Sequence, residues 1–238
     1  MSGHSKWSTI KRKKGAADAK RGAIFTRLSK DITLAARDGG GDSDMNPTLR
    51  LAIKKAKSSN MPAANIDRAI KKGTGELPGV IYENYIYEGY GPSGVAVLIE
   101  VLTDNKNRTF PEIKSIMSKN GGNLGESGCV NWMFEKKGTI TISKNNIDEE
   151  SFLEIIDMDI EDYNQDDLFY EIIIAPEKFG EISKSIESRN IEIDGEVGLI
   201  PKNIIKVSEQ DATKIVKLLE LIEEQEDVQK VHSNFQVE

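Results

Sequence analysis

Between residues 139 and 199 the hydrophobic period switches between two and 3.6 in the order strand, helix, strand, strand, helix, strand. The pieces are a strand at 139–143, a helix at 148–157, a short strand near 159–163, a strand at 169–175, a helix at 176–189 and a strand at 191–199. This β-α-β-β-α-β order is the split βαβ arrangement of a ferredoxin-like domain. The segments on either side must then build a core without it. Upstream, residues 80–135 supply strands at 82–88 and 95–102, a helix at 107–120 with Pro111 in its first turn, and a strand at 129–134. Downstream come a strand at 204–207, a helix at 209–224 and a strand at 229–236. Neither set suffices alone. The expectation is one discontinuous α+β domain, 80–135 plus 204–238, with 138–203 inserted into it.

Ahead of these lie three helical stripes. Over 18–37, Ile24, Phe25, Leu28, Ile32 and Ala35 share a face that ends at Gly39-Gly40-Gly41. Asn46 and Pro47 open a second helix as N-cap and first-turn proline, with Leu49, Ala52, Ile53 and Ala56 inward. A third runs from near Pro62 to Gly73 and packs Ile66, Ala69 and Ile70. A glycine-rich linker, 73–79, follows. The fold class is α + (α+β): an N-terminal three-helix domain over 1–75 with a basic arm, then two α+β domains, one inserted into the other.

The net charge of −7 hides a segregation. Residues 1–75 hold 17 Lys+Arg against 6 Asp+Glu, a net of +11, while the remainder holds 15 against 33, a net of −18. A basic unit joined to an acidic body is the footprint of a chain that meets polyphosphate. The candidate phosphate contacts are Lys6, Lys11, Arg12, Lys13, Lys14, Lys20, Arg21, Arg27 and Lys30, joined by Arg50, Lys54, Lys57, Arg68, Lys71 and Lys72 on the second and third helices. Trp7, amid this charge, either stacks on a base or plugs the helical core. The acidic body faces a protein partner or solvent. Phosphate contacts position without reading sequence, and no recognition helix stands out, which weakens operator-specific binding of duplex DNA relative to binding a folded RNA by shape. Duplex DNA and ribosomal RNA on the ribosome both stay open as targets.

Catalysis finds little to work with. The two histidines, His4 and His232, sit at opposite ends of the chain, and lone Cys129 completes no zinc site. The Gly89–Gly94 stretch matches G-x-G-x-x-G but joins two strands, so it reads as a hairpin loop. The acidic run from Asp157 to Asp167 lacks a calcium loop's glycine and terminal glutamate, and reads as a solvated turn. No enzyme activity, cofactor, metal or small-molecule substrate is expected. The longest apolar run, Val95-Ala96-Val97-Leu98-Ile99, is too short to span a bilayer. With no apolar signal core and a single cysteine, a cytoplasmic protein with no membrane partner is expected.

Many stretches also resemble one family. GHSKW at 3–7, GGGD at 39–42, NPTLRLAI at 46–53, AIKKGTGE at 69–76, YEGYGPSGVA at 87–96, LTDNKNRT at 102–109, GGNLGESG at 121–128, WMFEKKG at 132–138 and VHSNF at 231–235 are similar to the YebC/PmpR family in the same order. The resemblance implies a helical domain followed by two α+β domains, one inserted into the other, and no enzyme activity or cofactor. It implies a DNA-binding transcriptional regulator, with mitochondrial relatives acting as translational activators and bacterial members linked to translating ribosomes. The acidity of 154–167 departs from the family's pattern.

Overall fold

The computed structural model describes residues 21–79 and 81–238. Among them the chain is a mixture of seven α-helices and three sheets, two of them four-stranded and antiparallel.

Helices α1 (Arg21–Gly39), α2 (Pro47–Ser58) and α3 (Ala63–Gly73) close around Leu28, Ile32, Ala36, Leu49, Ala56, Met61, Ile66 and Ala69. Asn46 turns the chain between α1 and α2. Its side-chain oxygen accepts the Leu49 N–H at 3.0 Å, capping α2, and its amide nitrogen donates to Ala35 O at 2.8 Å and Gly40 O at 2.9 Å. Asn46→Ala should cost about 2 kcal/mol, a lost cap plus two carbonyls short of a partner, read as a lower denaturant midpoint. Gly73 lets α3 approach α1. A Cβ there would stand 2.4 Å from Thr33 O.

Strand β1 (Glu83–Tyr90) pairs antiparallel with β2 (Ala96–Thr103) through the expected hairpin, whose loop carries Ser93 and Gly94 at positive φ. Helix α4 (Lys106–Lys119) and short β3 (Asn123–Leu124) follow. Far along the chain, α7 (Glu209–Glu223) packs into the same core as α4, and β9 (Val228–Ser233) pairs with β2, giving the order β3-β1-β2-β9. The run from Val95 to Ile99 is buried on both faces. Val95, Val97 and Ile99 meet α4 and α7, while Ala96 and Leu98 meet Val130 and Phe134.

The second sheet, in order β5-β6-β4-β7, is made by β4 (Phe134–Ser143), β5 (Asp162–Gln165), β6 (Phe169–Ile174) and β7 (Ile193–Pro201). Helices α5 (Glu149–Ile156) and α6 (Phe179–Glu187) contribute Phe152, Ile155, Ile182 and Ile186 to its core beside Ile140, Ile142, Ile172 and Ile174. Strands β8 (Ile205–Val207) and β10 (Phe235–Val237) form a small parallel pair.

Three expectations need correction. Residues 129–134 are not a strand: the chain turns, makes a 3-10 turn at Asn131–Met133 and enters β4 only at Phe134, because the backbone N–H groups of Gly128, Val130 and Asn131 are taken by the Glu88 carboxylate. Pro111 lies in the second turn of α4, since Asn105 is the N-cap; the helix accommodates the missing donor on its exposed side. The last strand is split at buried Asn234, whose side chain accepts the Ala96 N–H at 2.8 Å and whose carbonyl accepts that of Ile205 at 2.7 Å.

Candidate nucleic-acid interface

On α2, Arg50, Lys54 and Lys57 recur at i, i+4 and i+7, all exposed, with Leu49 and Ala56 buried on another face. On α3, Arg68, Lys71 and Lys72 recur at i, i+3 and i+4, also exposed, with Ile66 and Ala69 buried. The lysines in each last turn also offset the carbonyl end of their own helix, which accounts for part of their placement. Arg50 has a second task. Its guanidinium donates to Ser43 O at 2.9 Å and Asp44 O at 2.8 Å, bracing the loop before α2.

Lys30 departs from its expected role. It is only 5% exposed, and its ammonium bonds Asp227 Oδ1 at 2.6 Å, Glu226 O at 2.9 Å and Leu102 O at 3.3 Å. It therefore holds α1 against the body rather than reaching a phosphate. Asp227 also accepts Arg108 Nη2 at 2.7 Å, Thr109 Oγ1 at 2.6 Å and Thr103 Oγ1 at 3.0 Å. Burial by itself raises the Asp227 pKa, but hydrogen bonds from Arg108, Lys30 and Thr109 outweigh it and hold the carboxyl well below the usual range. Arg37 adds a bond from Nη1 to Tyr82 O at 3.2 Å.

Arg27 is half-buried on α1, with Nε enclosed and without a hydrogen-bond partner. Burial lowers its pKa against the opposing charges of Glu223 and Asp31. Burial likewise raises the pKa of Asp31, against Lys55, Lys230, Arg27 and Lys30. This side of α1 faces charged groups of the body. Arg21 opens α1, while Lys6, Trp7, Lys11, Arg12, Lys13, Lys14 and Lys20 lie outside the described residues.

Of the two histidines and the cysteine, His4 lies outside the described residues. His232 Nε2 lies 2.6 Å from Glu100 Oε1, and that hydrogen bond, outweighing burial, lowers the Glu100 pKa. Burial, with the charge of Glu88, pushes the Cys129 thiol up, away from the thiolate. Among the described residues no cluster of three His, Cys, Asp or Glu is placed to hold a metal, and no helix is long and apolar enough to cross a membrane.

A mixed α/β chain with a basic helical unit and an acidic body is the class this geometry defines, and comparison with known proteins narrows it. Residues 5–76 match the family described as the TACO1/YebC protein N-terminal domain, and residues 82–235 match the TACO1/YebC second and third domain. The chain belongs to the TACO1/YebC family. It is 52% identical over its full length to a protein of Desulfotalea psychrophila, covering 96% of it, and 50% identical to one of Dictyoglomus turgidum, again covering 96%; both are named probable transcriptional regulatory protein. The crystal structure of a conserved hypothetical protein from Aquifex aeolicus superimposes with a TM-score of 0.87 at 43% identity, covering 98% of each chain.

Proposed function

We propose that this chain is a non-catalytic regulator of gene expression that holds duplex DNA by its phosphates through the basic helical unit. The observation that carries the reading is the pair of exposed basic stripes on α2 and α3, set on helices whose other faces form a core. The relatives' name, a transcriptional regulatory protein, agrees with it. The engagement of His232 with Glu100 and the raised pKa of the Cys129 thiol support an absence of chemistry. The cytoplasm, where DNA and ribosomes meet, is the matching compartment. The chain is read as three domains, the ferredoxin-like one over 138–203 lying within 80–135 and 204–238; the β2–β9 pairing and the core shared by α4 and α7 support that division.

A second target, ribosomal RNA with a role in translation, is favoured by one detail. Arg50 spends its fork on Ser43 and Asp44, and four of the other five exposed cations on α2 and α3 assigned to phosphate are lysines, Lys54, Lys57, Lys71 and Lys72. Lysine is a point charge suited to phosphate rather than to base edges. Salt-titrated affinities for a promoter-derived duplex, structured ribosomal RNA and intact ribosomes test both readings. Changing those four lysines to Ala should flatten the slope of log K against log salt by about 3 on the true target and weaken binding by about 100-fold near physiological salt. Duplex binding that persists at that salt supports the DNA reading; tight ribosome binding beside weak, steeply salt-dependent duplex binding supports the RNA one. Unchanged affinities for every target would overturn both.

A further inference from the structure

The acidic body carries one basic, aromatic face. Helix α4 holds Lys106, Arg108, Lys114 and Lys119 against a single acid, Glu112, within a region whose net charge is −18. Arg108 is committed to Asp104 and Asp227. Lys106, Phe110 and Lys114 stand at i, i+4 and i+8, one stripe along the helix, and Glu112 turns to the far side. Phe110 is 40% exposed and meets the ring of Tyr87 edge-on at 5.4 Å; Tyr87 in turn lies parallel to Tyr85 at 6.4 Å. The Lys106 and Lys114 ammoniums each stand 6.0 Å from a ring centroid, over Tyr85 and Phe110 respectively. Both tyrosines pack from the sheet against the core below, and the Tyr85 hydroxyl bonds Glu83. The rings are therefore held in place, and little side-chain freedom remains to be lost on binding.

We propose that this face is a second nucleic-acid contact, at which Phe110, backed by Tyr87 and Tyr85, stacks an unpaired base while Lys106 and Lys114 hold the adjoining phosphates. One exposed aromatic flanked by lysines, here Phe110 between Lys106 and Lys114, suits stacking of a single-stranded base. A protein partner is disfavoured by the same lysines, which interface cores exclude. Arg108, two residues from both Lys106 and Phe110 and so on the far side of α4 with Glu112, shares Asp227 with Lys30 of α1 and joins α4 to the helical unit from its other side. The inference rests on the nucleic-acid reading above but assigns different residues and a different form of the ligand.

The test uses the full chain, a short oligouridylate and a blunt-ended duplex. Phe110→Ala should weaken the single strand about 5- to 30-fold and leave the duplex within about twofold, while Phe110→Tyr keeps both. Lys106→Ala with Lys114→Ala should lower the single-strand salt slope by about 1. The inference is overturned if Phe110→Ala binds the single strand as wild type does, or if it loses both probes equally. The variant lacking the four lysines of α2 and α3 separates the two readings: unchanged binding of duplex, ribosomal RNA and ribosomes alike there defeats the helical-unit reading, whatever Phe110 does. Because Phe110 is part exposed, an unchanged melting temperature in Phe110→Ala verifies that the loss comes from stacking.

Discussion

Replacing Asp227 by Ala should destabilise the protein by about 3–5 kcal/mol, because it strands Lys30 as a buried charge with only backbone carbonyls for partners. The side chains of Lys30 and Asp227 are 6% and 7% exposed, so water cannot replace the lost carboxylate without opening the junction. Arg108, Thr103 and Thr109 lose an acceptor at the same time. Urea denaturation followed by hydrogen exchange at residues 27–34 reads both consequences: a lower midpoint, and α1 exchanging ahead of the sheet it leans on. A change under about 1 kcal/mol, with α1 still protected, would mean that the apolar contacts alone seat the helix.

The same carboxylate sets an acid limb. Its native pKa lies below the ordinary 3.8, so the unfolded chain takes the proton first. Its contribution is whole above the unfolded pKa and is lost as pH falls through the native one, beginning near about pH 5. In Asp227→Asn the slope of stability against pH below about pH 4 should shrink by up to one proton, roughly 1.4 kcal/mol per pH unit.

Lys30 and Asp227 also mark the limit of what the sequence discloses. Local signals transferred well: the Asn46-Pro47 start of α2, the glycine stop of α1 and the hairpin expected with its loop at 89–94, which the structure places at 91–95, depend on neighbours within a few residues. The charge segregation was equally legible, because counting requires no geometry. The sorting of cations was not. On a helical stripe Lys30 looks like its exposed neighbours, and only residues 72, 196 and 197 positions away decide that it is buried. The stretch at 129–134 failed for a related reason. Its alternation suits a strand, yet a carboxylate 40 or more residues upstream takes the N–H groups a strand partner would need. The face of Phe110 was hidden by averaging, since an overall excess of acid on the body concealed one basic helix.

Glu88 is the second residue on which much depends. It is 5% exposed, and Oε1 accepts the Gly128 N–H at 2.7 Å while Oε2 accepts those of Val130 at 2.8 Å and Asn131 at 2.7 Å. Burial raises its pKa, but the three N–H donors outweigh burial and hold it below the usual range, so the group is a carboxylate when folded. The loop it gathers places Val130 and Phe134 on the outer face of β2 and leads directly into β4. It also holds Trp132 out at 61% exposure, its indole N–H bonded to Cys129 O at 3.2 Å, where Tyr90 donates its hydroxyl as well. Glu88→Ala removes three charge-assisted bonds; Gly128 and Asn131 are near enough to solvent to recover part of theirs, so the expected cost is about 3–4 kcal/mol. Glu88→Gln separates charge from shape. Its amide oxygen can keep Val130 and Asn131, but its nitrogen then faces the Gly128 N–H donor to donor, for about 2 kcal/mol. Both variants should red-shift or quench Trp132 fluorescence and speed exchange across 128–134 before α5 responds. If Glu88→Gln matched wild type in midpoint and exchange, the loop would be held by the burial of Val130 and Phe134, and the carboxylate would only fill space.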